Sequence, residues 1–488
     1  MLFNSTIFYI FFPIVTFLYF VFPYKYRWLI LLCASVYFYM SFIPEYIFIL
    51  ALIILVDYYA GIFIEQAPQK SKKRFLLISL LTNISILCIF KYVNFFPQVI
   101  VFLSSLWGTN HTQSGHEILL PIGLSFHTFQ GMSYTIEVYR GHQKAERNLG
   151  IFALYVMFFP QLMAGPIERP QNLLHQFYKK HKFKLEQLGR GIKLIIWGLF
   201  KKAVIADRLA FFVNQVFDNV YNYKGISLVI ATVFFAFQIY CDFSGYTDIA
   251  LGTAELLGFK LMRNFNRPYF AHSISDFWQR WHISLSSWFR DYLYKPLGGN
   301  RVSWWRWQFN VLVTFLVSGI WHGSHWTFIV WGILHGIYIL VENNFKSPLS
   351  KFYKGNDNKS VVQRIIMTSA TFILVCFAWI FFRANSLNNA YYIISHLLSG
   401  WDEVLHEINN SQFIKNYIFL GQNRIEFVLG ILAIVFLLVA EWLQDSTATL
   451  LIIVRDKPWI KSFVYTILLF LIFLLGEFKS QQFIYFRF

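Results

Sequence analysis

Residues 311–340 read VLVTFLVSGIWHGSHWTFIVWGILHGIYIL. About ten mostly apolar residues lead into Ser318-Gly-Ile-Trp-His-Gly-Ser-His-Trp326, and a second apolar run, Trp326–Leu340, follows at once, so the polar break belongs at membrane depth rather than in a loop. An ionisable group there is a functional candidate by default. His322 carries an imidazole with an ordinary pKa of about 6.5, suited to general-base work near neutral pH. The competing reading is a buried histidine that gives one hydrogen bond for packing. Gly319 and Gly323 stand four apart, which lets a neighbouring helix or an acyl group approach the backbone closely.

The rest of the chain agrees with a membrane setting. Of 488 residues, 57% are hydrophobic and 14% charged, and 56 are phenylalanine; the mean hydropathy is +0.48. That composition excludes an ordinary soluble protein of this length. Apolar runs recur from Phe8–Phe22 through Phe152–Met163, Leu194–Phe212 and Leu228–Tyr240 to Phe463–Leu475. Their lengths predict an all-α polytopic membrane protein of about eleven crossings, with the shorter runs as re-entrant or interfacial helices. The first run lacks a basic leader and a small-residue cleavage site, so it reads as a retained span. Cys33, Cys88, Cys241 and Cys376 lie singly in apolar segments and read as buried small hydrophobes, not as a disulfide framework or metal clip.

The formal charge is +17, and the basic residues are expected in connectors, as positive-inside sorting produces; nucleic-acid binding is the weaker reading. Lys70–Arg74, Lys179–Lys182 and Lys346–Arg364 are basic, whereas Trp107–Glu117 has no Lys or Arg and Trp401–Glu407 is acidic. Taking basic connectors as cytoplasmic puts the Trp401 region and the tail Glu477–Phe488 outside. It also makes either Phe75–Phe90 or Tyr92–Leu106 re-entrant. No linker or repeat interrupts residues 1–488, which read as a single membrane domain ending in a tail, 477–488.

Residues 277–301, FWQRWHISLSSWFRDYLYKPLGGNR, are too charged for a lipid-facing span. Trp278, Trp281, Leu285, Trp288 and Tyr292 recur at helical spacing, with Arg280, Ser287 and Asp291 mostly on the other side, which predicts one interfacial amphipathic helix capped by Ser275-Asp276 and ended by Pro296-Leu-Gly-Gly299. His282 falls on its apolar side, as a core residue or a working one. Asp242 and Asp248, in Cys241-Asp-Phe-Ser-Gly-Tyr-Thr-Asp248, stand beside span ends, where each can orient an imidazole or cap a helix. Pro160–Pro170 is broken by Pro and Gly, a kind of segment allowed at membrane depth only where protein buries it or it lines a cavity. Among His282, His322, His325 and His335 no metal-ligand spacing stands out.

Taken together, Phe158–Pro170, Asp242–Asp248, Asp276–Ser286, Arg290–Arg301 and Ser318–Gly323 resemble the membrane-bound O-acyltransferase family, in its bacterial branch that acetylates extracytoplasmic polysaccharide. The resemblance implies a helical shell thinned at its centre, with His322 as the central histidine and His282 as its partner. It also implies acetyl-coenzyme A as a donor entering from the cytoplasm, no permanently bound cofactor, and a separate extracytoplasmic O-acetyltransferase as partner. The ending Phe483-Ile-Tyr-Phe-Arg-Phe488 resembles an aromatic motif of the same branch, whose tyrosine is implicated as acyl carrier; here that is Tyr485. The expected catalytic set is therefore His322, His282 and Tyr485, supported by Trp321, Asp242, Asp248, Arg280 and Asp291. Gln279 and Ser287 stand where alginate members often carry arginine, which inclines the acceptor towards peptidoglycan. A transporter and a docking scaffold are the rivals from other classes; paired repeats with matching broken helices, the mark of many transporters, are not evident.

Overall fold

The computed structural model describes residues 1, 3–92, 121, 123–163, 165–353, 361–407, 409–445, 458–477 and 483–484. Every regular element among them is helical. Six helices are long and apolar enough to cross a membrane: Pro44–Gln66, Gln69–Tyr92, Ile226–Leu257, Trp326–Phe345, Val361–Arg383 and Arg424–Gln444, with Thr6–Val21 and Ser462–Leu475 as shorter apolar helices. Their outward faces carry large bare side chains such as Phe48 at 76% exposure and Phe473 at 77%, as surfaces facing hydrocarbon do. The multi-pass helical class is as the sequence predicts; the described helices do not reach about eleven crossings. Some apolar runs fold otherwise. Phe152–Met163 becomes the end of a short helix, Leu149–Met157, followed by turns, and Leu194–Phe212 is interrupted by a wide π-turn at Phe200–Ala206.

The chain divides into two compact units, Met1–Ile195 with Tyr246–Arg263, and Ile196–Gly245 with Asn264–Phe488. In the first, Asp57 lies fully buried in an apolar helix and accepts hydrogen bonds from Ser79 (2.7 Å) and Asn83 (2.9 Å) on the next one. The described residues of Pro160–Pro170 are non-helical up to Arg169 and lie in buried surroundings, as the composition of the segment requires. Backbone groups at and beside it find partners: Phe159 N–H donates to Ser35 Oγ at 3.0 Å, and the Tyr155 hydroxyl donates to the Glu168 carbonyl at 2.9 Å. Lys70–Arg74 forms the first turns of Gln69–Tyr92 rather than a connector, and Phe75–Phe90 lies within that helix. Tyr92 ends it; the remainder of the alternative re-entrant segment, and Trp107–Glu117, lie outside the described residues. Cys241 and Cys376 are buried as expected, but Cys33 and Cys88 are exposed, sitting on outer helix faces where an apolar surround needs no protein cover.

In the second unit Trp304–His322 and Trp326–Tyr353 form a tight helical hairpin. Glycine explains the closeness: a Cβ on Gly319 would lie 2.4 Å from the Phe328 carbonyl oxygen, and one on Gly332 2.4 Å from that of Phe315. The expected single helix over residues 276–292 is absent. Ile274–Arg280 ends, His282 turns the chain with φ 42° and ψ 55°, and Ile283–Phe289 starts afresh before a π-turn at Arg290–Tyr294. Ser273, not Ser275 or Asp276, caps the first piece. The break has a local cause. Asn264 takes the Ile283 amide on its carbonyl (2.9 Å) and the Ser284 amide and hydroxyl on its side chain (3.2 and 2.6 Å), while Asn266 N–H donates to the Arg280 carbonyl (2.9 Å). Groups that a continuous helix would pair internally are engaged elsewhere. Gly298 (φ 107°) and Gly299 (φ 58°) end the stretch, as Pro296-Leu-Gly-Gly299 predicts.

Candidate active site

His322 is the last residue of Trp304–His322, with Gly323 as its C-cap, and is 4% exposed. Its ring lies 4.9 Å from Trp321, 4.9 Å from Trp331 and 5.2 Å from Phe382, each roughly edge to face. That is an apolar, water-poor cage of the kind that strengthens charge interactions inside it. His282 is fully buried. Its ring meets Phe243 at 4.7 Å and Trp321 at 6.3 Å, so the Trp321 indole stands between the two imidazoles. The left-handed backbone of His282 is rare for a residue with a Cβ and costs roughly 1–3 kcal/mol, a strain that clusters at functional sites.

Two cavities adjoin this core. One, of about 460 Å³, is polar and is lined by Asp207, Asp218, Gln238, Asp242, His325, Phe328, Phe382, Arg383 and Ile484 among others. Phe382 is thus shared between the cavity wall and the His322 cage. The second, of about 520 Å³, is more apolar and is lined by Trp278, Phe289, Arg290, Tyr294, Asn300, Trp307, Phe315 and Ser318 among others. Ser318 is one helical turn before His322 on the same helix. His322 is therefore buried, with Phe382 joining its cage to the first cavity and Ser318, on its own helix, lining the second.

The other expected residues separate. Asp242 and Asp248 both lie inside the long helix Ile226–Leu257, not at span ends, because that helix runs unbroken through Ser244-Gly245. Neither caps it. Asp242 is buried, lies 2.7 Å from Lys202 Nζ, and accepts the Ile484 amide at 2.8 Å. Asp248 falls in the first unit. Arg280 pairs with Asp276 at 2.7 Å, one turn back on its own helix. Asp291 binds Lys295 at 2.7 Å and Arg290 at 3.3 Å; partial burial pulls its carboxyl up, but those two cations outweigh it and hold it below the usual range. Both are half-exposed ion pairs beside the second cavity's Arg290 and Trp278. Tyr485 lies outside the described residues; its neighbours Phe483 and Ile484 are buried, with the Phe483 ring 6.0 Å from Phe243.

Sequence reasoning missed several participants. Trp331 links His322 to His335, whose ring lies 5.0 Å beyond it. His335 accepts from Trp278 Nε1 at 3.3 Å, a packing role. Lys202 also lies 2.7 Å from Asp207, so one buried cation meets two buried carboxylates. The signal was present: Lys201, Lys202, Asp207 and Arg208 interrupt the apolar run Leu194–Phe212, where ionisable residues are costly.

Comparison with known proteins identifies the family. A probable alginate O-acetylase of Azotobacter vinelandii is 37% identical over 416 residues, covering 84% of this chain and 81% of that relative. A peptidoglycan O-acetyltransferase of Helicobacter pylori is 33% identical over 500 residues, covering 94% and 91%. A teichoic acid D-alanyltransferase of Bacillus subtilis is 28% identical over 308 residues, covering 59% and 76%. Residues 71–393 match the family model of the membrane-bound O-acyltransferases. On these matches the chain belongs to the membrane-bound O-acyltransferase family and is a multi-pass membrane acyltransferase.

Proposed function

We propose that the protein carries acetyl groups from cytoplasmic acetyl-coenzyme A across the membrane and delivers them to hydroxyls of an extracytoplasmic polysaccharide, with His322 as general base and Tyr485 as carrier. The observation that carries the reading is the seat of His322, buried among Trp321, Trp331 and Phe382, the last of which also lines the polar cavity. The apolar cavity beside Arg290 suits the donor: its Trp307 and Tyr294 walls offer faces for an adenine or an acyl stem, and Arg290 offers charge for phosphate. The polar cavity, which Ile484 lines, suits the carrier and acceptor.

In the first step the His322 imidazole takes the phenolic proton of Tyr485 as its oxygen bonds to the acetyl carbonyl carbon. The C–S bond breaks, and the coenzyme A thiolate leaves with that proton. In the second, an acceptor hydroxyl attacks the acetyl-tyrosine ester and returns a proton to the phenolate as the C–O bond breaks. Only the acetyl group crosses. His282, separated from His322 by the Trp321 indole, acts as a partner that holds this centre in place. The tail 477–488 faces outside in a cytoplasmic (inner) membrane protein, and a periplasmic O-acetyltransferase completes delivery.

The acceptor is read as peptidoglycan, supported by a match to the peptidoglycan enzyme that covers 94% of the chain. The higher identity, 37%, to the alginate enzyme favours an alginate-type exopolysaccharide instead. Mass spectrometry of muropeptides from a deletion strain separates them: loss of O-acetylated muramic acid supports the first, and an unchanged cell wall with deacetylated exopolysaccharide the second. In purified protein, His322→Ala and Tyr485→Phe are each expected to lower acetyl transfer at least about 100-fold, the scale of a lost general base. Transfer that survives both changes overturns the mechanism and revives the scaffold reading.

A further inference from the structure

The end of the chain is held at two points within the second unit, one on the stretch from Ala203 to Arg208 and one on Asp242 of the helix Ile226–Leu257. At the first, the Arg208 guanidinium, 4% exposed, donates to the Leu475 carbonyl at 2.7 Å and lies 3.9 Å from Glu477, while Glu477 N–H donates to the Ala203 carbonyl at 2.9 Å. At the second, Ile484 N–H donates to Asp242 Oδ2 at 2.8 Å, and Phe483 and Ile484 are 1% and 4% exposed. The other oxygen of Asp242 faces Lys202 Nζ at 2.7 Å, and the same ammonium meets Asp207 at 2.7 Å. Lys202, Ala203, Asp207 and Arg208 all belong to the π-turn Phe200–Ala206 and the helix that continues it. The wide turn re-aims side chains that a regular helix would spread around its axis, and such bulges recur at functional sites.

We propose that Asp242 is a positioning residue, a backbone-directed seat for the C-terminal segment whose carboxylate Lys202 holds in place. The bonding geometry supports this. Lys202 meets two buried carboxylates, Asp207 and Asp242, and the Ile484 amide gives the second oxygen of Asp242 a donor of its own. Because the contact is to the main chain, it fixes the register of the segment at Ile484 whatever side chains flank it, and Tyr485 follows directly in sequence. Asp207, Asp242 and Ile484 line the same polar cavity as Phe382, whose ring contacts His322, so one side chain links the seat's cavity to the imidazole. Its catalytic consequence rests on the carrier role proposed for Tyr485; the seating is measurable without it.

The test is hydrogen exchange of the full-length protein in detergent, read by mass spectrometry on the C-terminal peptide, beside acetyl-transfer kinetics. Asp242→Ala leaves the neutral Lys202–Asp207 pair behind, and Ile484→Pro deletes the N–H while leaving that pair intact. Asp242→Ala is expected to speed exchange around Ile484 about tenfold or more, on the scale of one lost bond to a charged group. Each variant is expected to lower kcat by a similar factor with KM for acetyl-coenzyme A unchanged, and the double variant is expected to be no worse than either. Exchange at the wild-type rate in Asp242→Ala, or losses that multiply in the double variant, overturns the seat. If Asp242→Ala does not fold, Ile484→Pro decides, and exchange of the C-terminal peptide at the wild-type rate overturns the proposal. Faster exchange in Asp242→Ala together with full transfer by Tyr485→Phe sinks the carrier role and leaves the seat standing.

Discussion

At His282 chemistry and conformation coincide in one residue, and they can be separated. Glycine adopts the left-handed region freely and asparagine tolerates it. His282→Gly is therefore expected to relieve backbone strain while deleting the ring that packs on Phe243 and Trp321, and His282→Asn to keep the turn with a smaller polar group. If the imidazole takes part in the reaction centre, both variants lose at least about tenfold in kcat while their melting temperatures in detergent stay near that of the parent. A melting temperature that falls in step with activity would instead mark a packing residue. The burial of His322 was legible in the sequence because the polar break Ser318–Trp326 stood out between two apolar runs. The Lys202 cluster was legible only in part: Lys202 and Asp207 interrupt one apolar run, but Asp242 lies far along the chain and meets them only after the helix Ile226–Leu257 packs beside the π-turn.

Elements were legible where hydrophobic periodicity alone decides them and illegible where a distant residue intervenes. The hairpin of Trp304–His322 and Trp326–Tyr353 follows from two apolar runs and small residues at Gly319. Gly319→Val puts a branched side chain where even a Cβ has only 2.4 Å to a carbonyl oxygen, so the helices must part. Overpacking of this kind costs typically about 1–3 kcal/mol or more, and a lower melting temperature in detergent is the expected readout. The 276–292 stretch shows the opposite case. Its tryptophans repeat at helical spacing, yet Asn264 draws off two amides and breaks the helix at His282. Asn264→Ala removes the side-chain acceptor of the Ser284 amide and hydroxyl, fully buried groups, at an expected cost of about 1–3 kcal/mol. Activity is expected to fall with it, since the same bonds aim His282; unchanged melting and turnover would show the turn to be held by other contacts.

Across the molecule, composition alone identified a membrane-spanning helical protein, while the described residues hold six full-length candidate spans and do not confirm a count of about eleven. The buried ionic group offers a test at this scale. Lys202→Met strands the Asp207 and Asp242 carboxylates without their cation, and breaking a buried pair on one side costs about 3–5 kcal/mol. Adding Asp207→Asn is expected to recover part of the melting temperature by removing one stranded charge. No recovery would mean that water, not Lys202, balances these acids. Residues Asp242 and Ile484 are 242 positions apart. A contact of such separation forms only once the intervening helices are packed, so it joins late in folding and its loss raises the rate of opening more than it slows assembly.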